Sequence, residues 1–251
     1  MARLTGRAAI VTGSAQGIGA AYAKALAAEG AKVSLCDVKP TDAVVREIKA
    51  SGGAAIGRIC DITKPAELAA LVRATEEAFG GVQILMNNAA LFANITLKPF
   101  WEISSEEWDQ VMTVNVRGSF ECVKAVLPVM RKQNYGKIIN IASGTFFKGT
   151  PMMVHYVSSK GAVVGMTRTM ARELGQFGIR VNCIAPGLTL SEAVAGRNDY
   201  GAMREANVQT RALKREEQPE DLTGAAVFLA SAESDFMTGQ TMLIDGGSAM
   251  H

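Results

Sequence analysis

The sequence predicts an α/β protein built on a parallel sheet with helices on both faces. Two observations predict it: short apolar runs alternate with longer helical patterns along the whole chain, and a glycine turn or polar cluster closes run after run. A third sets the domain count. The 251 residues contain no Pro/Ser-rich linker and no block of like charge, so one domain over residues 1–251 is expected.

Composition narrows the function before any motif does. The 26 basic and 24 acidic residues are interspersed and leave a formal charge of +2. That offers no footprint for nucleic acid and no polybasic patch for a membrane surface, which leaves small-molecule chemistry. No apolar run approaches the roughly 18 residues of a membrane span, and no charged leader precedes a long apolar core. The four cysteines, Cys36, Cys60, Cys122 and Cys183, are widely scattered and lack metal-ligand spacing. They read as buried thiols of a cytoplasmic protein with no metal site.

Arg7 to Thr12 is the first apolar run, and it stops at Gly13-Ser14-Ala15-Gln16-Gly17-Ile18-Gly19, after which an Ala-rich helical pattern runs to Glu29-Gly30. Strand, glycine turn and helix in that order suit a pyrophosphate, because glycines let it approach backbone amides at the positive end of the helix. The spacing is G-x-x-x-G-x-G, different from the commoner G-x-G-x-x-G. Ala31 to Cys36 is a second strand that ends on Asp37. A carboxylate roughly 20 residues past such a turn accepts hydrogen bonds from an adenosine ribose diol and repels a 2′-phosphate. No Arg follows Asp37, and Gln16 is uncharged where a basic residue would neutralise that phosphate, so NAD is favoured over NADP.

Ala54 to Ile59 is a third strand leading into Cys60-Asp61-Ile62, and a helix follows from about Pro65 to Phe79 with Thr63 as candidate N-cap. Gln83 to Met86 is a fourth strand that runs into Asn87-Asn88-Ala89-Ala90. Trp101 to Arg131 is largely helical and carries Asn115 in its apolar interior, where an amide is costly without partners. Lys137 to Ala142 is a fifth strand ending on Ser143.

The next helix, expected from Thr150 to about Gly175, sets Tyr156 and Lys160 one turn apart on one face. A phenol titrates at about pH 10, and a fixed cation beside it favours the phenolate, which is a way to build a general base. Gly178 to Cys183 is a sixth strand, closed by Ala185-Pro186-Gly187-Leu188-Thr189. Residues 190–215 are polar and broken by Gly196, Asn198 and Gly201, the pattern of a lid carrying small helices. A helix from Pro219 to Ala230 and a seventh strand from Gln240 to Ile244, ending at Asp245-Gly246-Gly247, complete the chain.

Together these residues resemble the short-chain dehydrogenase/reductase family over essentially the whole length. The resemblance rests on Thr12-Gly13-x-x-x-Gly17-x-Gly19, Asp61, Asn87-Asn88-Ala89, Asn115, Ser143, Tyr156-x-x-x-Lys160, Pro186-Gly187 and the closing Asp245-Gly246-Gly247. It implies a Rossmann fold with a seven-stranded parallel sheet in the order 3-2-1-4-5-6-7. It further implies Tyr156 as catalytic acid/base, Ser143 polarising the substrate oxygen, Lys160 on the nicotinamide ribose, and Asn115 holding a water in a proton relay. On the cofactor side it implies Gly13, Gln16, Gly17, Ile18 and Gly19 at the phosphates, Asp61 and the Ile62 amide at the adenine, and Asn88 at the adjacent ribose. Pro186 and Gly187 would follow, with Thr189 on the carboxamide. One departure is visible: the family's Asn-Asn-Ala-Gly reads Asn87-Asn88-Ala89-Ala90 here.

The segment after Ser143 resembles members that oxidise cyclic or aryl secondary alcohols. Phe146, Phe147, Met152, Met153 and Met203 would give a largely apolar substrate pocket. The alternatives are a 3-oxoacyl-thioester reductase, which Asp37 disfavours, and a dinucleotide-binding regulator without catalysis, which would have no use for Tyr156 and Lys160. The family also implies a homotetramer, in which Ala162, Val163, Met166, Met170 and Ala171 supply small and apolar groups beyond one core stripe. The tail Ser248-Ala249-Met250-His251 would then lie within reach of a neighbour.

Overall fold

The computed structural model describes residues 2–196 and 201–250. Seven strands form one parallel sheet: β1 (Ala8–Thr12), β2 (Lys32–Asp37), β3 (Ala54–Ile59), β4 (Ile84–Asn87), β5 (Gly136–Ile141), β6 (Ile179–Pro186) and β7 (Thr241–Ile244). Their order, β3-β2-β1-β4-β5-β6-β7, is the expected one. The first strand sits between β2 and β4, with Ile10 opposite Ser34 on one side and Leu85 on the other. All five of its residues are buried, which is why it reads as an unbroken apolar run and not as an alternation.

Helices cover both faces. On one face α1 (Gly17–Ala28), α2 (Asp42–Ala50) and α10 (Thr223–Ala230) bury Tyr22, Leu26, Val44 and Leu229 against the sheet. On the other, α3 (Pro65–Phe79), α5 (Ser119–Gln133) and α7 (Val154–Leu174) bury Leu68, Leu71, Val126 and Leu174. Helices on both faces of a parallel sheet place every strand's carboxyl end along one rim, and the site lies there.

Several boundaries differ from expectation for local reasons. Trp101 belongs to a single 3₁₀ turn, Phe100–Glu102, and the long helix starts after Ser104. Ser104 Oγ accepts from the Glu107 amide at 3.2 Å while Glu107 Oε2 accepts from the Ser104 amide at 2.9 Å, a reciprocal cap that fixes the start. From there α4 (Ser105–Met112) runs into α5 through a widened π turn, Thr113–Gly118, which contains Asn115. Thr63 is not a cap: Lys64 holds the N-cap position of α3, and the Thr63 hydroxyl donates to Asp61 Oδ1 at 2.8 Å. The helix after Ser143 is divided into α6 (Gly144–Lys148) and α7, so α7 begins at Val154 instead of Thr150.

Residues 190–215 contain α8 (Glu192–Ala195) and α9 (Gly201–Thr210); Asn198 lies outside the described residues, as does His251. The four cysteines are free and buried. Among the described residues no helix is long and apolar enough to cross a membrane.

Candidate active site

The glycine turn owes its shape to close backbone approach. A Cβ on Gly13 would lie 2.7 Å from Ala89 Cα, and one on Gly19 would lie 2.1 Å from the Gly13 carbonyl oxygen, so neither position accepts a side chain. The turn is held from the far side by the segment after β4. Thr12 Oγ1 accepts from the Asn88 and Ala89 amides at 3.1 and 3.0 Å, and Asn88 Nδ2 donates to the Thr12 and Gly13 carbonyls at 3.0 Å each. Asn88 thus spends both side-chain hydrogens on the turn, leaving its amide oxygen for any ribose contact. Ala90 is exposed on the cavity wall, and its φ lies outside the left-handed region, so the alanine in place of glycine costs the backbone nothing.

At the end of β2, Asp37 Oδ2 accepts from the Ala15 amide and Oδ1 from the Lys39 amide, both at 3.0 Å. Lys39 Nζ lies 3.3 Å from Gln16 Oε1, which sets a cation at the glycine turn, two residues past Asp37. Asp61 is anchored to Thr63 and lies 3.8 Å from Lys64 Nζ, while Ile62 packs on Gly118 in the widened turn. On α1, the Gly17 amide donates to Glu192 Oε2 of α8 at 3.0 Å, so a carboxylate of the segment expected to form a lid occupies the helix end expected to hold phosphate.

The residues expected to carry chemistry converge. Ser143, Tyr156 and Lys160 line one cavity of about 190 Å³, together with Asn88, Gly187 and Thr189. Ser143 ends the segment after β5 and caps α6, its Oγ accepting from the Thr145 amide at 3.2 Å. Lys160 Nζ donates to the Ile141 carbonyl at 2.8 Å and lies 5.6 Å from the centre of the Tyr156 ring. Burial lowers its pKa to about 8. Below that pH the enclosed ammonium opposes the fold, and the opposition fades as pH rises through 8 toward the ordinary lysine value.

Asn115 is 1 % exposed and does not line the cavity. Its Oδ1 accepts from the Leu91 amide at 2.7 Å, and Nδ2 donates to the Leu91 carbonyl at 3.2 Å and to Ser159 Oγ at 3.1 Å. Ser159 in turn donates to the Tyr156 carbonyl at 2.7 Å. The amide therefore ties the loop after β4 to the catalytic turn of α7, and it meets the satisfaction that a buried Asn requires.

A family model described as enoyl-(acyl carrier protein) reductase matches residues 13–249. Galactitol 2-dehydrogenase of Agrobacterium fabrum is 38 % identical over 258 aligned residues covering 99 % of both chains. A 3-oxoacyl-acyl-carrier-protein reductase of Synechocystis is 37 % identical with full coverage of both. The crystal structure of levodione reductase superposes with a TM-score of 0.89 at 32 % identity, covering 99 % of this chain and 100 % of that one. The chain belongs to the short-chain dehydrogenase/reductase family. As a short-chain dehydrogenase/reductase it is an oxidoreductase acting on CH–OH groups, and the family implies a nicotinamide dinucleotide cofactor. The Gly13 and Gly19 cradle, which a Cβ would fill, fits the pyrophosphate of such a cofactor.

The cavity of this dehydrogenase is largely apolar, as expected, but several of its lining residues are not the expected ones. Met153 and Met203 line the cavity, but Phe146, Phe147 and Met152 do not. Phe146 and Met152 are exposed, and Phe147 packs on Ala142 and Val163 beneath the sheet. Phe92 joins instead, its ring 4.9 Å from that of Tyr156. Lys148, Thr150 and Asn207 add polar groups to the wall.

Behind Thr189 lies a charged cluster that sequence reasoning missed. Glu217 is 5 % exposed, accepts from Thr189 Oγ1 at 2.7 Å and lies 3.5 Å from Arg211 Nη2. Burial outweighs both contacts and raises its pKa to about 7. Arg211, equally buried, donates to the carbonyls of Leu188, Arg215 and Asp245, which fastens the end of α9 to the carboxyl ends of β6 and β7. Asp245 gathers the amides of Gly247, Ser248 and Ala249 at 2.8–3.0 Å and so folds the tail against its own domain. The only advance signal was a pair of carboxylates, Glu216-Glu217, between an Arg and a Pro turn, which reads as surface.

Proposed function

We propose that the protein moves a hydride between NAD and a small secondary alcohol or ketone with a cyclic or aromatic body, in the cytoplasm. The observation that carries this reading is the convergence of Ser143, Tyr156 and Lys160 on one cavity that Ile18 of the glycine turn also lines. Ser143 Oγ accepts from the Thr145 amide, which leaves its own hydrogen to donate to the substrate oxygen. Tyr156 takes the carbinol proton in oxidation and returns it in reduction. Lys160, its ammonium fixed by the Ile141 carbonyl, supplies the positive charge that favours the phenolate. Asn115, through Ser159, holds the Tyr156 turn in register and belongs to the proton path by position. Bound in the glycine cradle, the nicotinamide supplies the hydride donor or acceptor.

In this reading Gly13, Gln16, Gly17, Ile18 and Gly19 hold the pyrophosphate, Asp37 the adenosine ribose, and Asp61 with Ile62 the adenine. Asn88 meets the ribose adjacent to the adenine, and Pro186, Gly187 and Thr189 hold the nicotinamide half. Tyr156→Phe keeps the ring and removes the proton acceptor. Turnover is expected to fall by about 10² or more with the dinucleotide Kd unchanged; turnover within about tenfold of wild type would overturn the assignment.

A second reading has one observation in its favour. Lys39 beside Gln16 offers a cation to a 2′-phosphate, which suits NADPH and a 3-oxoacyl-thioester reductase. Steady-state titration of both dinucleotides separates the two. We also infer a homotetramer built on α5 and α7. Val163 and Ala171 are spent on the core, but Ala162, Met166 and Met170 stay partly exposed along α7. Light scattering decides this, since a mass near 26.5 kDa means a monomer.

A further inference from the structure

The wall of the cavity carries polar atoms that the proposed chemistry leaves unused. Lys148, the last residue of α6, lines the cavity half-buried and makes no side-chain hydrogen bond or ion pair among the described residues. Thr145 Oγ1, one turn earlier on the same helix, lines the same cavity and is buried without a hydrogen-bond partner. Buried polar atoms are almost always paired in folded proteins, and an unpaired hydroxyl beside an unpaired ammonium on one cavity wall points to a ligand that pairs both.

The charges nearby set the sign of that ligand. Asp245 and Glu217 lie close enough to Lys148 to favour its ammonium form, but neither carboxylate is within ion-pair distance. Asp245 is already committed to three backbone amides, and Glu217 to Thr189 and Arg211. Burial lowers the Lys148 pKa against their pull, so the ammonium is held partly desolvated with no anion of the protein upon it. An anion entering the cavity would meet a cation and a hydroxyl donor together.

From this we infer that Lys148 and Thr145 form an anion subsite, and that the substrate is a secondary alcohol that also bears a carboxylate. The inference rests on the proposed dehydrogenase reading and narrows it. Phe92, Met153 and Met203 hold the apolar body, Tyr156 and Ser143 hold the reacting oxygen, and Lys148 fixes the carboxylate. Lys148 is then a specificity-determining residue, not a catalytic one.

Matched pairs that differ only in charge test it: 3-hydroxybutyrate against 3-hydroxybutanamide, and 3-hydroxycyclohexanecarboxylate against its carboxamide. Wild type is expected to favour the acid of a pair by about tenfold or more in kcat/KM, and Lys148→Met to reduce that ratio by about thirtyfold, with Lys148→Arg restoring part of it. A merely structural loss lowers both members and leaves the ratio where it was, which would overturn the inference. Turnover of cyclohexanol but of neither acid would overturn it as well, while leaving the dehydrogenase reading in place. If no alcohol is turned over, that reading fails, and the subsite is judged by calorimetry with cyclohexanecarboxylate on the cofactor-loaded protein. A Kd raised about tenfold by Lys148→Met supports the subsite; equal Kd values, or no binding to wild type, sink it.

Discussion

The two walls of the cavity are made differently. On the proposed cofactor wall, behind Ile18, backbones touch: a Cβ on Gly13 or Gly19 would meet main-chain atoms at 2.7 and 2.1 Å. On the proposed substrate wall, Thr145, Lys148, Met203 and Asn207 are side chains carried on α6 and α9, and Gly201 at the start of α9 has nothing within 4 Å of such a Cβ. The first is a fixed arrangement of main chain that allows one residue type at each contact. The second is a set of side chains, and in the proposed reading the choice among them selects the substrate.

That contrast can be broken most sharply at Gly19. Gly19→Ala forces a methyl onto the Gly13 carbonyl and onto Asn88 Nδ2 at 2.5 Å, so either the turn opens or α1 shifts. Dinucleotide Kd, read by fluorescence titration, is expected to rise by about 10² or more while circular dichroism stays that of a folded α/β protein. Gly201→Ala is the matched change on the other wall and is expected to stay within about twofold, since Ala favours a helix. A Gly19→Ala protein that binds dinucleotide within about tenfold of wild type would mean that the approach of these backbones does not define the site.

A smaller effect is expected at Asp37, where the cofactor wall does depend on a side chain. Its carboxylate is fixed by the Ala15 and Lys39 amides, and Lys39 Nζ stands nearby on Gln16. Asp37→Ala removes the ribose acceptor and the repulsion of a 2′-phosphate together, leaving the lysine in place. The kcat/KM ratio of NAD to NADP is expected to fall by about tenfold or more. An unmoved ratio would place the ribose elsewhere.

The same contrast explains what was legible in the sequence. The parallel sheet, the glycine turn and the placing of Tyr156 and Lys160 on one helix face were readable because backbone geometry and a one-turn helical spacing leave few alternatives, whereas the strand order came from the family resemblance. The start of the long helix was missed because Trp101 looks like the first apolar residue of a periodic run, whereas the Ser104–Glu107 cap overrides that pattern. The lining of the apolar pocket was misassigned for a related reason: Phe146, Phe147 and Met152 follow Ser143 in sequence, but Phe146 and Met152 are exposed and Phe147 packs on the core, while α6 presents Lys148 and Thr145 to the cavity. Arg211, Glu217 and Asp245 lie far apart in the chain and look like surface charges; only the meeting of α9 with the ends of β6 and β7 buries them as one cluster. Asn115 is readable as a buried amide in need of partners, but its partners, Leu91 and Ser159, come from two other segments.

Glu192 joins the two walls, and the smallest expected effect lies there. It belongs to α8, in the segment expected to form a lid, yet its Oε2 accepts from the Gly17 amide at 3.0 Å, at the positive end of the twelve-residue helix α1. In the proposed reading a dinucleotide pyrophosphate takes that same amide, and two anions cannot share it, so binding would displace the carboxylate and with it α8. The contact is solvent-exposed, so its displacement costs only about 1 kcal/mol or less. Glu192→Gln keeps the length and weakens the acceptor, and NAD is expected to bind about threefold more tightly, with a weaker dependence on salt than wild type because one like-charge repulsion is gone. Calorimetric titration of both proteins at low and high ionic strength reads both quantities. Equal affinities would mean that the lid leaves α1 freely in solution; weaker binding by the variant would mean that Glu192 serves the bound cofactor and does not merely yield its place.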